Sequence, residues 1–175
     1  MLAPFRITSG ALVGLMLLLA VGVPHGPAAP VDTRDLPRWT WPLSGAHVVA
    51  APFRAPAHAY GAGHRGIDLS SSISAIALAP ADGTVAFRGT VVDRPLLTIT
   101  HDGGFVTTFE PLRSTLDPGE AVSAGQAIGT VDVGGHTTAG ALHVGVRRDG
   151  VYLNPMLLLF GEMPRAILLP CCGPL

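Results

Sequence analysis

Between residues 83 and 155 the chain alternates short apolar runs with turn signals, a pattern that leaves little room for helices. Three runs are rich in β-branched and aromatic residues: "GTVAFRGTVV" (83–92), "LLTITHD" (96–102) and "GFVTTFEPL" (104–112). Such residues are typical of strands. No stretch of about ten residues in this region shows the 3.6-residue apolar period of a helix. The pattern predicts an all-β fold, an antiparallel β-sheet sandwich.

Turn residues divide this region into strands and hairpins. The chain contains 22 glycines and 16 prolines, which favour many turns between short strands. "HDGG" (101–104) predicts a hairpin turn between the second and third runs. "DPGEAVSAGQAIGTVD" (117–132) predicts a hairpin of two short strands around "SAGQ", and 141–155 predicts a hairpin that turns at "RDG". The leucines of 154–170 are expected to pack on the edge of the domain.

The N-terminus has the features of an export signal. Arg6 precedes the apolar run "GALVGLMLLLAVGV" (10–23), and the small residues of "GPAAP" follow it. The run is short of the roughly 20 residues that a membrane-spanning helix needs, and it fits the apolar part of a signal peptide. We predict a signal peptide over 1–29, cleaved near Ala29, with an uncleaved anchor as the alternative. The mature chain is then secreted or held in the cell envelope.

Composition excludes several other classes of protein. The net charge is −1, all eleven basic residues are arginine, and no basic run stands out, so nucleic acid is not an expected partner. Cys171 and Cys172 are adjacent, and disulfide geometry disfavours a bond between neighbours. No disulfide framework is therefore predicted. The remaining segments are a linker over 30–41 and a C-terminal tail over 161–175, and the domain is expected to be a monomer.

Three residues are candidate ligands for a metal ion. His64 and Asp68 lie four positions apart in "GHRGIDLS", and His143 lies on a predicted strand in "ALHVGV". Zinc sites in enzymes commonly take three such nitrogen and oxygen ligands and leave a fourth position for water. A histidine that only packs in the strand is the alternative for His143. On the residues alone, a site for one zinc ion and a set of structural side chains both remain open.

The order of these motifs resembles that of a known family, the lysostaphin/LytM-type zinc peptidases. These form family twenty-three of the metallopeptidases and cut peptide cross-bridges in bacterial cell walls. The chain is similar to their small secreted forms in high-GC Gram-positive bacteria, over residues 39–159. The resemblance implies a LytM-like fold of the duplicated hybrid motif type with an open groove, a core domain over 42–160, and zinc bound by His64, Asp68 and His143. The motifs that carry it are, in order, "WTWPL", "GHRGIDLS", "APADGTVAFRG", "ITHDGG", "DPGEAVSAGQAIGTV" and "ALHVGV".

Two positions depart from the family pattern. The family ends its site with H-x-H, and the first histidine is replaced here by Ala141. It also has a histidine in a Y-x-H-L segment, where "FEPL" places Pro111. Glu110 and His136 are the candidate catalytic substitutes; adjacent strand residues face opposite sides, so Glu110 is expected to need a bulge to reach the site.

Two functions remain open from the sequence. The first is an exported zinc endopeptidase that acts on peptide cross-links of peptidoglycan. The second is a catalytically degenerate LytM-like domain that binds the cell wall or regulates another wall hydrolase. Outside the site, His101 is expected to cap the "HDGG" turn. Trp39 and Trp41 are expected to pin the N-terminal segment to the sheet, and Arg147 and Arg148 to point to alternate faces of the last strand.

Overall fold

The computed structural model describes residues 35–58, 61–135 and 137–160. The regular secondary structure of these ranges is almost entirely β-strand, with a 3₁₀ turn over Asp102–Gly104 and a short helix, α1, over Met156–Leu159. Within them, no helix has the length and hydropathy needed to cross a bilayer. The strands are β1 (Val49–Ala51), β2 (Gly66–Ser70), β3 (Ile76–Leu78), β4 (Gly83–Val91), β5 (Arg94–His101), β6 (Phe105–Glu110), β7 (Leu112–Arg113), β8 (Ala121–Val122), β9 (Ala127–Val131), β10 (Ala141–Arg148) and β11 (Val151–Leu153).

The strands form two antiparallel sheets that pack on a common core. The larger has the order β1-β2-β10-β6-β5-β4-β8, with β11 also paired to β10, and the smaller has the order β3-β9-β7. Both sheets contribute side chains to the core, including Ile67, Ile99, Phe109, Ile128 and Leu142. The predicted antiparallel β-sheet sandwich is confirmed.

The three runs predicted as strands do form strands, and the third is divided into two. The first two become β4 and β5. The third becomes β6 and β7, separated at Pro111. Proline has no N–H to donate to a ladder, and the chain passes at this point from the larger sheet to the smaller one.

The predicted hairpins are confirmed in two cases and wrong in the third. β5 and β6 pair across the turn at "HDGG", and β10 and β11 pair across the turn at "RDG". β8 and β9 form on either side of "SAGQ", but they do not pair with each other. β8 pairs with β4, and β9 pairs with β3 and β7. The "GEAVSAGQAIG" segment is therefore a link between the two sheets, not a hairpin.

The N-terminal segment is held against the domain, as predicted. Trp39 and Trp41 are both buried. The Trp39 backbone N–H donates to the Leu158 carbonyl at 2.9 Å, and its ring packs edge-on against Phe105. Leu158 is itself fully buried, which confirms that this part of the leucine-rich segment packs at the domain edge. Residues 1–34 and 161–175, with the predicted signal peptide and both cysteines, lie outside the described residues.

The pleat of β10 gives this strand two different faces. Leu142, Val144 and Val146 belong to the apolar interior. His143, Gly145 and Arg147 therefore point to the opposite face, because successive side chains of a strand alternate. That face is the floor of an open groove.

Candidate metal centre

Three adjacent strands place three polar side chains in one row. Asp68 of β2 is the register partner of His143 of β10, and His143 is the register partner of Glu110 of β6. Side chains of directly opposed residues lie on the same face of a sheet. His64 precedes β2 and forms an isolated bridge with Arg54, which brings its imidazole over the same face.

The atoms of the three candidate ligands form a compact triangle. His64 Nε2 lies 3.0 Å from Asp68 Oδ1 and 3.1 Å from His143 Nδ1, and the distance between His143 Nδ1 and Asp68 Oδ1 is 2.8 Å. Zinc–nitrogen and zinc–oxygen bonds of about 2.0–2.2 Å at tetrahedral angles separate neighbouring ligand atoms by about 3.3 Å. The three side chains therefore surround one point at the spacing of a single small cation.

The hydrogen bonds fix which atoms face that point. His64 Nδ1 donates to the Pro52 carbonyl oxygen at 2.8 Å, so neutral His64 presents the lone pair of Nε2 to the carboxylate of Asp68. A proton or a metal ion between Nε2 and the carboxylate would offset the repulsion of these two acceptors. Ring N–H to carbonyl bonds of this kind are typical of metal-binding histidines. The donor set therefore fits a divalent metal ion such as zinc.

Burial favours the neutral form of His143. Desolvation lowers its pKa, although the hydrogen bond and charge of Asp68 act in the opposite direction. A neutral imidazole is the form that binds metal. Buried acceptors and a carboxylate that is 14% exposed together provide a site of low water access for the ion.

Gly66 makes room for the His143 ring. A Cβ atom at this position would overlap the Val144 carbonyl oxygen and would stand 2.6 Å from His143 Nε2. The glycine therefore allows a close approach between β2 and the His143 ring. It arises because β2 and β10 are in register here, with Gly66 opposite Gly145.

Two of the three candidate ligands, His64 and His143, line an open groove of about 520 Å³. The groove runs along the face of the larger sheet on which β10 presents His143, Gly145 and Arg147. It is lined by Arg54, Gly63, His64, Arg65, Arg94, Thr108, Glu110, His143, Gly145, Arg147 and Tyr152.

Glu110 reaches the groove without a bulge. The register of β6 with β10 places it directly opposite His143, and Phe109, its neighbour, occupies the core instead. The expected need for a bulge is therefore wrong. Arg94 Nε lies 3.2 Å from Glu110 Oε2. Because that nitrogen makes no aligned hydrogen bond, the contact is an ion pair that holds the carboxylate by charge.

The two positions that depart from the family pattern, Ala141 and Pro111, carry no proton-transfer group. Ala141 is buried on β10, two residues from His143 and on the same face. Pro111 follows Glu110 and is also buried. His136, the second candidate substitute, lies outside the described residues, so its role stays a prediction.

His101 is structural, but in a different way from the one predicted. It does not cap the turn that follows it. Instead, its Nδ1 bonds to the Asp82 carbonyl oxygen at 2.7 Å and its Nε2 lies 2.9 Å from Thr107 Oγ1. Its ring also packs on Trp39. The side chain therefore joins β5 and β6 to the turn before β4, away from the groove.

Several residues of the groove were not predicted from the sequence. Arg54, Arg65 and Arg94 enter from loops and strand ends, where no local pattern indicates their direction. Tyr152 was predictable, because a hairpin that turns at "RDG" places it opposite Arg147. Arg147 faces the groove, whereas Arg148 lies over the Phe105 ring, so the predicted alternation of these two arginines is confirmed.

Comparison with known proteins assigns the chain to a family. The model of peptidase family M23 matches residues 62–155, a range that contains the three candidate ligands and Glu110. An uncharacterized protein of Mycobacterium tuberculosis is 33% identical over 138 residues, which cover 75% of this chain. The chain spans 55% of the length of that relative. The chain belongs to peptidase family M23.

Solved structures share the fold. A zinc-containing peptidase from Vibrio cholerae matches with a TM-score of 0.60 at 22% identity, over 68% of this chain and 39% of that chain. A chain in the crystal structure of the SpoIIIAH and SpoIIQ complex matches with a TM-score of 0.60 at 21% identity, over 68% of this chain and 98% of that chain. At such identities the likeness shows the fold alone. It confirms the LytM-like β-sheet architecture. Membership of peptidase family M23 makes the chain a peptidase or LytM-like domain.

Proposed function

We propose that this chain is an exported zinc metalloendopeptidase that hydrolyses peptide cross-links of bacterial peptidoglycan. One observation carries the proposal: His64, Asp68 and His143 converge on a single point in an open groove, with Glu110 beside them in register. Family membership supports peptidase chemistry. A buried set of metal ligands at the floor of an accessible groove is the arrangement that such chemistry needs.

Each residue of the site has a defined task in this proposal. His64, Asp68 and His143 hold one zinc ion, and the Pro52 carbonyl fixes the orientation of the His64 ring. Zinc, when bound, polarises a carbonyl group and lowers the pKa of water. Glu110 accepts a proton from the attacking water and passes it to the nitrogen of the leaving amine. Arg94 holds the Glu110 carboxylate in the groove through their ion pair.

The groove itself supports a polymeric substrate. It is open along β10, and Gly145 leaves its floor without a side chain between His143 and Arg147. An extended peptide can therefore lie across the site with residues on both sides of the scissile bond. The apolar run over 10–23 supports export to the compartment in which peptidoglycan is found. We propose that the domain acts there as a monomer, with the membrane contacted only through the N-terminal signal.

The test is a cleavage assay on purified peptidoglycan. The zinc-loaded chain is expected to release new free amino groups, and a chelator is expected to abolish the release. His143→Ala removes one ligand and should be inactive. His47→Ala is the matched control, because His47 is exposed and stacks on Trp41 outside the groove. Release that survives both the chelator and His143→Ala would contradict the proposal.

A second function is favoured by Ala141 and Pro111, which replace both histidines of the family pattern. In this alternative the domain keeps the groove and binds the cell wall or regulates another wall hydrolase without cutting. One of the structures that share the fold is a complex of two proteins, which supports a binding role for this architecture. A folded chain that carries one zinc, binds peptidoglycan and releases no amino groups would favour this alternative.

A further inference from the structure

The groove concentrates positive charge on a chain that is nearly neutral overall. Four arginines line it, whereas the whole chain has a net charge of −1. Among the described residues, the carboxylates at the site are those of Glu110 and Asp68, and a bound divalent cation would offset both. The groove therefore presents a positive potential to whatever enters it. The four residues are Arg54, Arg65, Arg94 and Arg147.

Two of these arginines lie against one exposed aromatic ring. The guanidinium carbon of Arg65 is 5.7 Å from the centre of the Tyr152 ring, and that of Arg147 is 5.8 Å from it. The ring attracts both cations through its negative face, and Tyr152 is 39% exposed. Two like charges held at one ring repel each other, and an anion placed between them would relieve that repulsion.

No acidic side chain of the described residues neutralises Arg147. Within residues 35–58, 61–135 and 137–160, Arg147 forms no ion pair with a carboxylate. Other arginines of the same ranges do: Arg88 pairs with Asp117 and Arg113 with Asp132. The planar fork of the guanidinium matches a carboxylate with two parallel hydrogen bonds. The described part of the domain thus leaves Arg147 able to bind an external carboxylate.

The distance from the metal centre fixes where that carboxylate belongs on a substrate. His143 and Arg147 lie on the same face of β10, four residues apart, which is about 13 Å along a strand. A substrate peptide in extended conformation advances by about the same rise per residue. Its carboxylate would therefore lie within about four residues of the scissile bond.

We propose that the groove selects acidic peptides: a free carboxylate within about four residues of the scissile bond binds the guanidinium groups of Arg147 and Arg65 at Tyr152. The same peptide with this carboxylate converted to an amide binds poorly. The inference rests on the proposed function, because it names the class of peptide that the endopeptidase cuts.

The test compares pairs of short peptides by isothermal titration calorimetry with the zinc-loaded full chain. Each pair has blocked ends and an otherwise uncharged sequence, and it carries either one glutamate or one glutamine, moved through successive positions. The best glutamate peptide is expected to bind about tenfold more tightly than its glutamine partner, as a charge-assisted hydrogen-bonded pair permits. The preference should shrink as salt is added.

Variants of the arginines test whether Arg147 is responsible for the preference for the glutamate peptide. Arg147→Gln should reduce the preference to about twofold or less, and Arg147→Lys should keep part of it, since lysine retains the charge and loses the fork. Arg148→Gln is the matched control: the residue is on the same strand, half-buried like Arg147, and faces the Phe105 ring. Its preference should match that of the unaltered chain. Equal binding of both peptides, or a preference that survives Arg147→Gln, would overturn the inference.

Cleavage of the same peptide pairs separates this inference from the proposed function. If both peptides bind equally and are cleaved at equal rates in a chelator-sensitive reaction, the selectivity for acidic peptides is contradicted and the endopeptidase function is supported. If the glutamate peptide binds selectively, Arg147→Gln abolishes this preference and neither peptide is cleaved, the acidic ligand class is supported and the proposed catalysis is contradicted.

Discussion

Replacing Gly66 by alanine is expected to displace the His143 ring and so to weaken zinc binding. The new Cβ would overlap the Val144 carbonyl oxygen and stand 2.6 Å from His143 Nε2 and 2.8 Å from its Cε1. The Val144 oxygen belongs to the backbone of β10 and cannot rotate away. Moving the His143 ring from 2.6 Å to an ordinary contact of 3.4 Å requires a shift of about 0.8 Å. Metal–ligand distances tolerate only about 0.2 Å.

The size of the effect follows from this displacement. Loss of the supporting contacts of a metal ligand typically costs about 10- to 100-fold in metal affinity, and we expect Gly66→Ala to fall in that range. Overpacking of a well-packed interior also costs about 1–3 kcal/mol of stability. The assay is zinc competition against a chromophoric chelator, combined with the free energy of unfolding from urea titration of the zinc-free protein.

Gly89→Ala is the matched control for this prediction. Its Cβ would stand 2.7 Å from the Phe87 ring, but that side chain is exposed and can turn away. Gly89 lies on β4, outside the groove. Zinc affinity is expected to be unchanged in Gly89→Ala. Gly66→Ala with the zinc affinity and stability of the unaltered chain would refute the account of how His143 is positioned.

Three further predictions concern the groove and the fold around it. Glu110→Gln should lower the rate of peptidoglycan cleavage by about 10²- to 10⁴-fold and leave zinc affinity nearly unchanged; unchanged cleavage would remove Glu110 from the reaction. Ala141→His places an imidazole on the groove face beside His143 and should raise the cleavage rate at least about tenfold, measured on the same substrate; no gain in a folded, zinc-loaded variant would show that this position does not limit the rate. Burial lowers the pKa of His101 below its ordinary value of 6.5, so the unfolded chain takes up this proton first as the pH falls. The contribution of His101 to stability is therefore present above about pH 6.5 and is lost at lower pH. His101→Gln should show a smaller fall in urea midpoint between pH 7.5 and pH 5.5 than the unaltered chain, and an identical fall would contradict this reading.

The candidate ligands were predicted from two separate local patterns, which the resemblance to the family joined into one site. His64 and Asp68 are separated by one short segment, and alternation along "ALHVGV" puts Leu142 and Val144 on the face opposite His143. The structure brings the three residues together as the sequence predicts. Alternation of apolar and polar residues along one strand is enough to predict which face of the sheet each side chain occupies.

The remaining features depend on pairings between distant parts of the chain. β8 joins the larger sheet through Gly83 and Thr84, and nothing within "GEAVSAGQAIG" indicates that its two halves separate. Glu110 faces the groove because Phe109 fills the core opposite Val144. The register of β6 against β10 decides this. A register between strands more than 30 residues apart cannot be predicted from the sequence of either strand alone.

The most direct test of the metal centre is equilibrium dialysis of the full chain against zinc, with metal content measured by atomic absorption. We predict one tightly bound zinc ion per chain, retained in His47→Ala and lost in each of His64→Ala, Asp68→Ala and His143→Ala. Loss of the metal from all three ligand variants would place it at the triangle that these side chains form. A tightly bound zinc ion that persists in all three variants, or no zinc bound by the folded unaltered chain, would contradict the account.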